Sequence, residues 1–246
     1  MAHRFHIPSL PGSGRVKLPP EVARHLDVLD LGAGSEVVLF DGSGREAKAT
    51  IVGVAKGAAE AEVMSVSTES REASVAVTLA TAVPKGRRMD TLVRMCAELG
   101  VRRIVPLVAK RSVVRIPLGD ERSGKLGRWR KIARAASEQS GRNVLAEVSP
   151  AADLKTLLAG AAAHDLVVVL HPSEASPPLG ALLGSRPSAK SILLILGPEG
   201  GFTGDELALA ESVGIPRARL TRSVLRIETA CVAAVSAAVM TMDKKD

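Results

Sequence analysis

Ser191-Ile-Leu-Leu-Ile-Leu-Gly197-Pro198-Glu199-Gly200-Gly201-Phe202-Thr203-Gly204-Asp205-Glu206 parses as a buried strand, a glycine loop and the start of a helix. The unbroken apolar run suits a strand covered on both faces. Thr203, followed three residues later by Glu206, is a capping box and predicts a helix from Gly204. The loop therefore sits at the carboxyl end of a strand, the edge at which α/β sheets bind ligands. Gly197, Gly200 and Gly201 leave backbone N–H and C=O groups uncovered for a flat ring or a ribose, and Glu199 adds a carboxylate. A glycine-rich turn with an exposed glutamate is the plain alternative, and the stretch by itself supports both.

The grammar around it is consistent. Strand-like runs at Val75 to Ala82, Ile104 to Val108, Leu166 to Leu170 and Ile192 to Leu196 alternate with helical stretches. The helices are expected at Arg88 to Leu99, Lys125 to Gln139, Leu154 to Ala161, Gly204 to Ser212 and Glu228 to Met242. Such alternation predicts an α/β domain with a mainly parallel sheet. Up to about Ser70 the pattern is instead a small β module: Glu36 to Phe40, the turn Asp41-Gly42-Ser43-Gly44, Arg45 to Val54, and Glu60 to Ser67. Asp-Gly between β-rich runs is a hairpin signal, and Glu60-Ala61-Glu62-Val63 alternates as a half-exposed strand does. Two domains follow, 1–70 and 74–246.

A chain of 246 residues that is 46% apolar and 24% charged can bury a core and is not disordered. Its longest nearly apolar stretch, Ala230 to Met240, is broken by Ser236 and is too short to span a bilayer. The N-terminus lacks a signal-type apolar segment, and Cys96 and Cys231 form no metal or redox spacing, so a cytoplasmic location is expected. Net charge is +7, yet Met1 to Glu72 carries 8 basic and 10 acidic residues. The excess is concentrated in Pro84 to Arg142, with 16 Lys and Arg against 5 Asp and Glu. Such a field attracts a polyanion, nucleic acid being the natural one, although a solvated helix face has the same composition. Three Phe, one Trp and no Tyr leave few platforms for stacking single-stranded bases.

Three further segments carry polar chemistry. Leu225-Arg226-Ile227-Glu228-Thr229-Ala230 opens an alanine-rich helix; Glu228 suits the positive helix end, whereas Arg226 there is unexpected and invites a functional role. Glu138-Gln139-Ser140-Gly141-Arg142 closes a basic helix that includes Arg128 and Arg134, with Gly141 as its C-terminal stop. Leu170-His171-Pro172 ends another strand at the same sheet edge. By contrast, Leu31-Gly32-Ala33-Gly34-Ser35 mimics a nucleotide-binding loop, but a strand, Glu36 to Phe40, follows it where a helix is required. A turn in the β module accounts for it better.

Jointly, Gly197-Pro198-Glu199-Gly200-Gly201, Leu225 to Ala230, Glu138-Gln139-Ser140 with Arg142, and Ala97-Glu98-Leu99-Gly100-Val101 resemble the signature segments of the ribosomal RNA small subunit methyltransferase E family. Arg4-Phe5 and the hairpin around Asp41-Gly42 are similar too, and the resemblance spans nearly the whole chain in order. Thr221 stands where that family usually has Gly, and Ile227 where it has Thr.

The resemblance implies an α/β, trefoil-knotted methyltransferase domain of the SPOUT class with a small N-terminal PUA-like β-barrel, forming a homodimer. It implies S-adenosylmethionine-dependent methylation of N3 of a uridine in 16S rRNA of the small ribosomal subunit, with no metal and no membrane. The cofactor would be held by Leu170, His171, Pro172, Leu196, Gly197, Pro198, Glu199, Gly200, Gly201, Leu220, Leu225, Thr229 and Ala230. Arg226 and Glu228 are the expected catalytic residues; Arg226 would hold charge on the uracil oxygens while Glu228, Glu199 or water takes the N3 proton. Arg4, Arg128, Arg134, Gln139 and Arg142 are the expected RNA contacts. The competing readings are a knotted methyltransferase acting elsewhere on RNA, such as ribose 2′-O, and a non-catalytic RNA-binding ribosome-assembly protein.

Overall fold

The structure, a computed structural model, describes residues 3–244; residues 1, 2, 245 and 246 of the expected domains lie outside the described residues. The chain forms two compact units, one of residues up to Glu72 together with Ser137–Leu145, the other of Ala73–Ala136 and the chain from Ala146 onward. Sequence reading left 137–145 in the second domain, and backbone pairing explains its place in the first. Asn143 Nδ2 donates to the carbonyls of Gly44 (3.0 Å) and Glu69 (2.8 Å), and Gly44 N returns a bond to Asn143 O (3.0 Å). Gly42, at φ +79°, lies so close to Leu145 that a Cβ there would be 2.7 Å from its side chain. Only glycine permits both that turn and that contact.

The first unit contains β1 (His3–His6), β2 (Gly14–Leu18), α1 (Pro20–Val28), β3 (Glu36–Phe40), β4 (Glu46–Ala55) and β5 (Ala58–Ser67). Its strands pair in the order β1-β3-β4-β5-β2, parallel between β1 and β3 and antiparallel elsewhere. The sheet is thus mixed, and the two ends of that path do not pair with each other among the described residues, unlike the closed barrel that the resemblance implies. β5 alternates as its sequence predicts, burying Ala59, Ala61 and Val63 while Glu60 and Glu62 stay partly exposed. Sequence reading missed α1, a nine-residue helix with Pro20 at its first position that buries Val22, Ala23 and Leu26. The loop at Gly32 to Gly34 leaves this helix and enters β3, with Gly34 N bonded to Ile51 O at 2.8 Å. It is a turn, as its missing downstream helix indicated.

The second unit runs β6 (Ala76–Ala82), α2 (Arg88–Glu98), β7 (Arg103–Val108), α3 (Gly124–Ser140, its last turn counted with the first unit), β8 (Glu147–Val148), β9 (Ala152–Asp153), α4 (Leu154–Ala159), β10 (Leu166–Leu170), α5 (Leu179–Gly184), β11 (Ser191–Leu196), α6 (Gly204–Ser212), β12 (Arg217–Ala218) and α7 (Ile227–Met242). Every pairing described in its sheet, ordered β12-β10-β11-β6-β7-β8 with β9 on β7, is parallel. In β11, Ile192, Leu194 and Leu196 face one apolar core and Leu193 and Ile195 face the other. Burial on both faces is why this strand reads as an unbroken apolar run. The first core packs α2 and α7 on the sheet, the second α4 and α6. The sequence pattern does not anticipate the two-residue strands, too short to alternate, or α5, which has no side-chain cap, whereas Asp153 caps the equally short α4.

Candidate active site

A cavity of about 330 Å³ opens at the carboxyl edge of the sheet. Its first wall is the end of β10, with Leu170, His171 and Pro172. Its second follows β11, with Leu196, Gly197, Pro198, Glu199, Gly201 and Phe202. The segment between β12 and α7 closes it with Leu220, Thr221, Ser223, Val224, Leu225 and Arg226, and the start of α7 adds Ile227 and Ala230. A volume at the lower end of ligand pockets, with aliphatic walls and few polar groups, suits a small amphipathic molecule.

The glycine loop is shaped by its neighbours. Gly201, at φ +68°, closes a turn with its N–H on Pro198 O at 2.8 Å. A Cβ on Gly197 would lie 2.9 Å from the Phe202 ring, so this glycine lets Phe202 fold back over the loop. Gly200 does not line the cavity; a Cβ there would lie 3.4 Å from Cβ of Arg111. Arg111 Nη1 donates to Gly200 O (2.9 Å) and Phe202 O (3.4 Å), clasping the loop from outside the cavity. The predicted capping box is present, and the buried Glu206 extends it, accepting from Thr203 N and Lys110 N at 2.8 Å each. Lys110 Nζ adds an ion pair with Asp205 at 2.7 Å, which lowers the Asp205 pKa and raises that of Lys110.

His171 hangs from the sheet edge by its N–H on Ala218 O, 2.9 Å away, and its Nδ1 is buried without a hydrogen-bond partner. Burial, aided by the positive charge of Arg217, pushes the imidazole below its ordinary pKa, so the ring is neutral at neutral pH. Arg226 is the N-cap residue of α7, in extended conformation with its carbonyl bonded to Ala230 N at 2.8 Å. Its guanidinium and the Glu199 carboxylate are exposed and hold no bond among the described residues.

Most of the expected cofactor residues therefore meet around one cavity; Gly200 and Thr229 do not line it. Glu228 lies outside the lining as well: one carboxylate oxygen is 3.9 Å from Arg88 Nε and the other is buried and unpartnered. Glu228 follows Arg226 by two residues, about 200° around the helix axis, so the two expected catalytic side chains do not face the same space. Phe202 is not among the expected residues, although an aromatic directly after paired glycines is a signal. Thr221, Ser223, Val224 and Ile227 lie in the segment from Leu220 to Ala230 that the resemblance assigns to the cofactor, and they line the cavity with it.

The expected RNA contacts divide. Gln139 and Arg128 are exposed, Arg128 paired with Asp90, and Arg134 is half-buried. Arg4 and Arg142, expected to contact RNA, instead face inward, their side chains 9% and 6% exposed. Arg142, 5% exposed, grips Glu72 through Nε (2.9 Å) and Nη2. Arg4 donates to Glu46 (2.8 Å) and lies over the Phe40 ring, 5.4 Å from its centroid. Donors committed to carboxylates inside a fold are not available to phosphate. No group of His, Cys, Asp and Glu suited to a metal ion occurs among the described residues, and none of their helices is long and apolar enough to cross a membrane.

A family model described as an RNA methyltransferase domain matches residues 71–239, and one described as an RNA methyltransferase PUA domain matches residues 18–64. The ribosomal RNA small subunit methyltransferase E of Bacillus subtilis is 32% identical over 223 residues, which cover 88% of this chain and 86% of the relative. This chain belongs to the ribosomal RNA small subunit methyltransferase E family. The Mycobacterium tuberculosis member is 30% identical, covering 96% of this chain and 91% of its own. A Neisseria gonorrhoeae family member, solved bound to S-adenosyl methionine, has a TM-score of 0.87 at 32% identity, covering 96% of both chains. A Legionella pneumophila methyltransferase in complex with the cofactor SAM matches with the same values. The fold is thus an α/β methyltransferase fold with a parallel sheet, joined to a PUA domain.

Proposed function

We propose that this family member transfers a methyl group from S-adenosylmethionine to N3 of a uridine in the 16S rRNA of the small ribosomal subunit, in the cytoplasm. The observation that carries this reading is the sheet-edge cavity framed by the Gly197 to Gly201 loop, in a fold whose relatives hold that cofactor. The residues present fit it: leucine and isoleucine walls offer an apolar slot for a purine, the glycine backbone is open to polar edges, and buried His171 Nδ1 lacks a partner. Within the same reading the domain is a trefoil-knotted SPOUT methyltransferase. Its support is the path of the chain, which inserts β11 between β10 and β6, crosses to β12, and returns through α7 onto β6 and β11. The homodimer is supported by a partly open face of α7 that includes Thr229, Val232, Ala233, Ser236 and Met240. The PUA domain, with the exposed cations of α3, would share the rRNA.

When bound, S-adenosylmethionine supplies an electrophilic methyl group on a sulfonium sulfur. Uridine N3 carries a proton near neutral pH, so the base must give it up as the new N–C bond forms. Glu199, which lines the cavity with no bond of its own, accepts that proton directly or through water. Glu228 leaves this role because its carboxylate is turned toward Arg88. Arg226 holds the negative charge that spreads onto the uracil oxygens. The apolar walls exclude water and align the reacting atoms.

The test is incubation of the protein with tritiated S-adenosylmethionine and small subunits lacking the modification, followed by nucleoside analysis. Label in 3-methyluridine is the expected result. Label in a ribose-methylated nucleoside would overturn the target atom, and absence of label despite measured cofactor binding would favour a non-catalytic RNA-binding role.

A further inference from the structure

Beside the cofactor cavity lies a second, polar notch of about 250 Å³, lined by Pro172, Ser173, Glu174, Arg219, Thr221 and Arg222. We propose that this notch binds the sugar-phosphate backbone of the RNA nucleotide being methylated, an assignment that rests on the RNA methyl-transfer reading above. Pro172 and Thr221 belong to both linings, so an anion in the notch is a neighbour of whatever occupies the cavity. A base and its own phosphate are separated by one ribose, and a nucleotide that offers its base to the cavity must set its phosphate down nearby.

Arg219 is built for that task. Its backbone N–H donates to Pro177 O (2.9 Å), its carbonyl accepts from Leu179 N (2.8 Å), and its Nε donates to Ser176 O (3.0 Å). Three bonds to one segment fix the stem and one edge of the guanidinium, while its terminal Nη groups make no hydrogen bond among the described residues. A pre-oriented fork with free donors matches phosphate geometry and loses little entropy on binding. Arg222 adds an exposed guanidinium with no partner, presented by a turn that Thr221 Oγ1 closes on Ser223 O at 2.8 Å. Arg217, two residues before Arg219, is spent by comparison, since it pairs with Glu211. Glu174 is the single carboxylate of the lining, so two arginines leave the notch positive. That carboxylate is also an acceptor for a ribose 2′-hydroxyl, the group that distinguishes RNA from DNA.

The shared chemistry is an anion, and the cofactor's own carboxylate is the other source, so the experiment separates the two. Arg219→Gln and Arg222→Ala are compared with wild type for the KM of small subunits, the salt dependence of subunit binding, and S-adenosylmethionine affinity by calorimetry. The expected result is a KM for subunits raised about tenfold, a shallower salt slope by about 0.7 to 0.9 for each arginine lost, and unchanged cofactor affinity. Arg222→Lys should recover much of the loss, since a point charge still meets phosphate. Loss of cofactor affinity with subunit binding intact would overturn the assignment in favour of the cofactor carboxylate. Unchanged values throughout would overturn it as well. Arg222 holds no bond, so its variant decides the matter even if Arg219→Gln lowers the melting temperature. Failure of the underlying reading is distinguishable, because wild type itself would then leave subunits unlabelled.

Discussion

Arginine does opposite work in the two units of this molecule. In the first, Arg142 is 5% exposed and grips Glu72, and Arg4 shares Glu46 with Arg71, 2.8 and 3.0 Å from its two oxygens. In the second, Arg226 stands at the rim of the cavity, and Arg222 at the notch, with neither bonded among the described residues. A charge taken out of water must be paired, and once paired it is structural. A guanidinium left in water costs the fold little and remains available to a ligand. What separates the two kinds is whether a carboxylate is brought inside with the arginine, which its place in a basic run of sequence does not reveal.

The largest effect on stability should therefore come from the arginine that is buried with its carboxylate. Arg142→Ala takes the bidentate partner from Glu72, whose side chain is 16% exposed, and is expected to destabilise the first unit by about 3 kcal/mol, the lower end for breaking a buried pair, read by denaturant unfolding. Arg142→Lys should recover only part, because an ammonium cannot make the fork. A variant of normal stability with weakened RNA binding would break the comparison. Next is Arg226→Ala, for which kcat is expected to fall about 10² to 10³-fold, the usual cost of losing a charge-stabilising donor. Cofactor affinity and melting temperature should stay level, and a fall in either alongside kcat would place Arg226 with the structural arginines.

The same distinction explains how far the sequence could be read. β3 and α6 match their expected bounds, and β11 begins one residue before its expected start, because burial on both faces, alternation and a capping box are local patterns. α1 and α5 escape a sequence reading because no side-chain cap announces them, whereas α6, as long as α1, opens on a capping box. At the site, Gly197, Glu199 and Arg226 were legible from type and spacing, and they do meet at the cavity. Glu228 was not, because two residues of helix turn a side chain about 200° around the axis, to a direction set by α7 packing and Arg88. Arg4 and Arg142 misled for a related reason: Glu46 and Glu72, their partners, are 42 and 70 positions away.

A smaller effect is expected at Arg111, which sharpens the comparison because it is bonded, but to carbonyls of the glycine loop in place of a carboxylate. Removing it frees Gly200 O and Phe202 O without unpairing a buried charge. Arg111→Ala should raise the KM for S-adenosylmethionine about tenfold, roughly 1.4 kcal/mol, with kcat and subunit KM nearly unchanged. Arg111→Lys, able to reach one carbonyl, should lie between. An equal fall in kcat would mean that the loop also orients the target base.

Arg128 is the intermediate case and should show the smallest effect on stability. It pairs with Asp90, yet its side chain is 52% exposed while that of Asp90 is 19% exposed, so water screens the pair. Such a pair contributes less than about 1 kcal/mol, and Arg128→Ala should leave the melting curve nearly unmoved. The guanidinium can also exchange Asp90 for an rRNA phosphate at little cost, since the carboxylate it abandons is not sealed from solvent. The salt slope of subunit binding should then become shallower by about 0.7 to 0.9, with cofactor affinity constant. Asp90→Asn tests the exchange from the other side: releasing Arg128 should strengthen subunit binding slightly, because the competing anion is gone. Weaker binding in that variant would mean that Asp90 aims the guanidinium at the RNA, making this exposed pair a positioned contact intermediate between the buried arginines and the free ones.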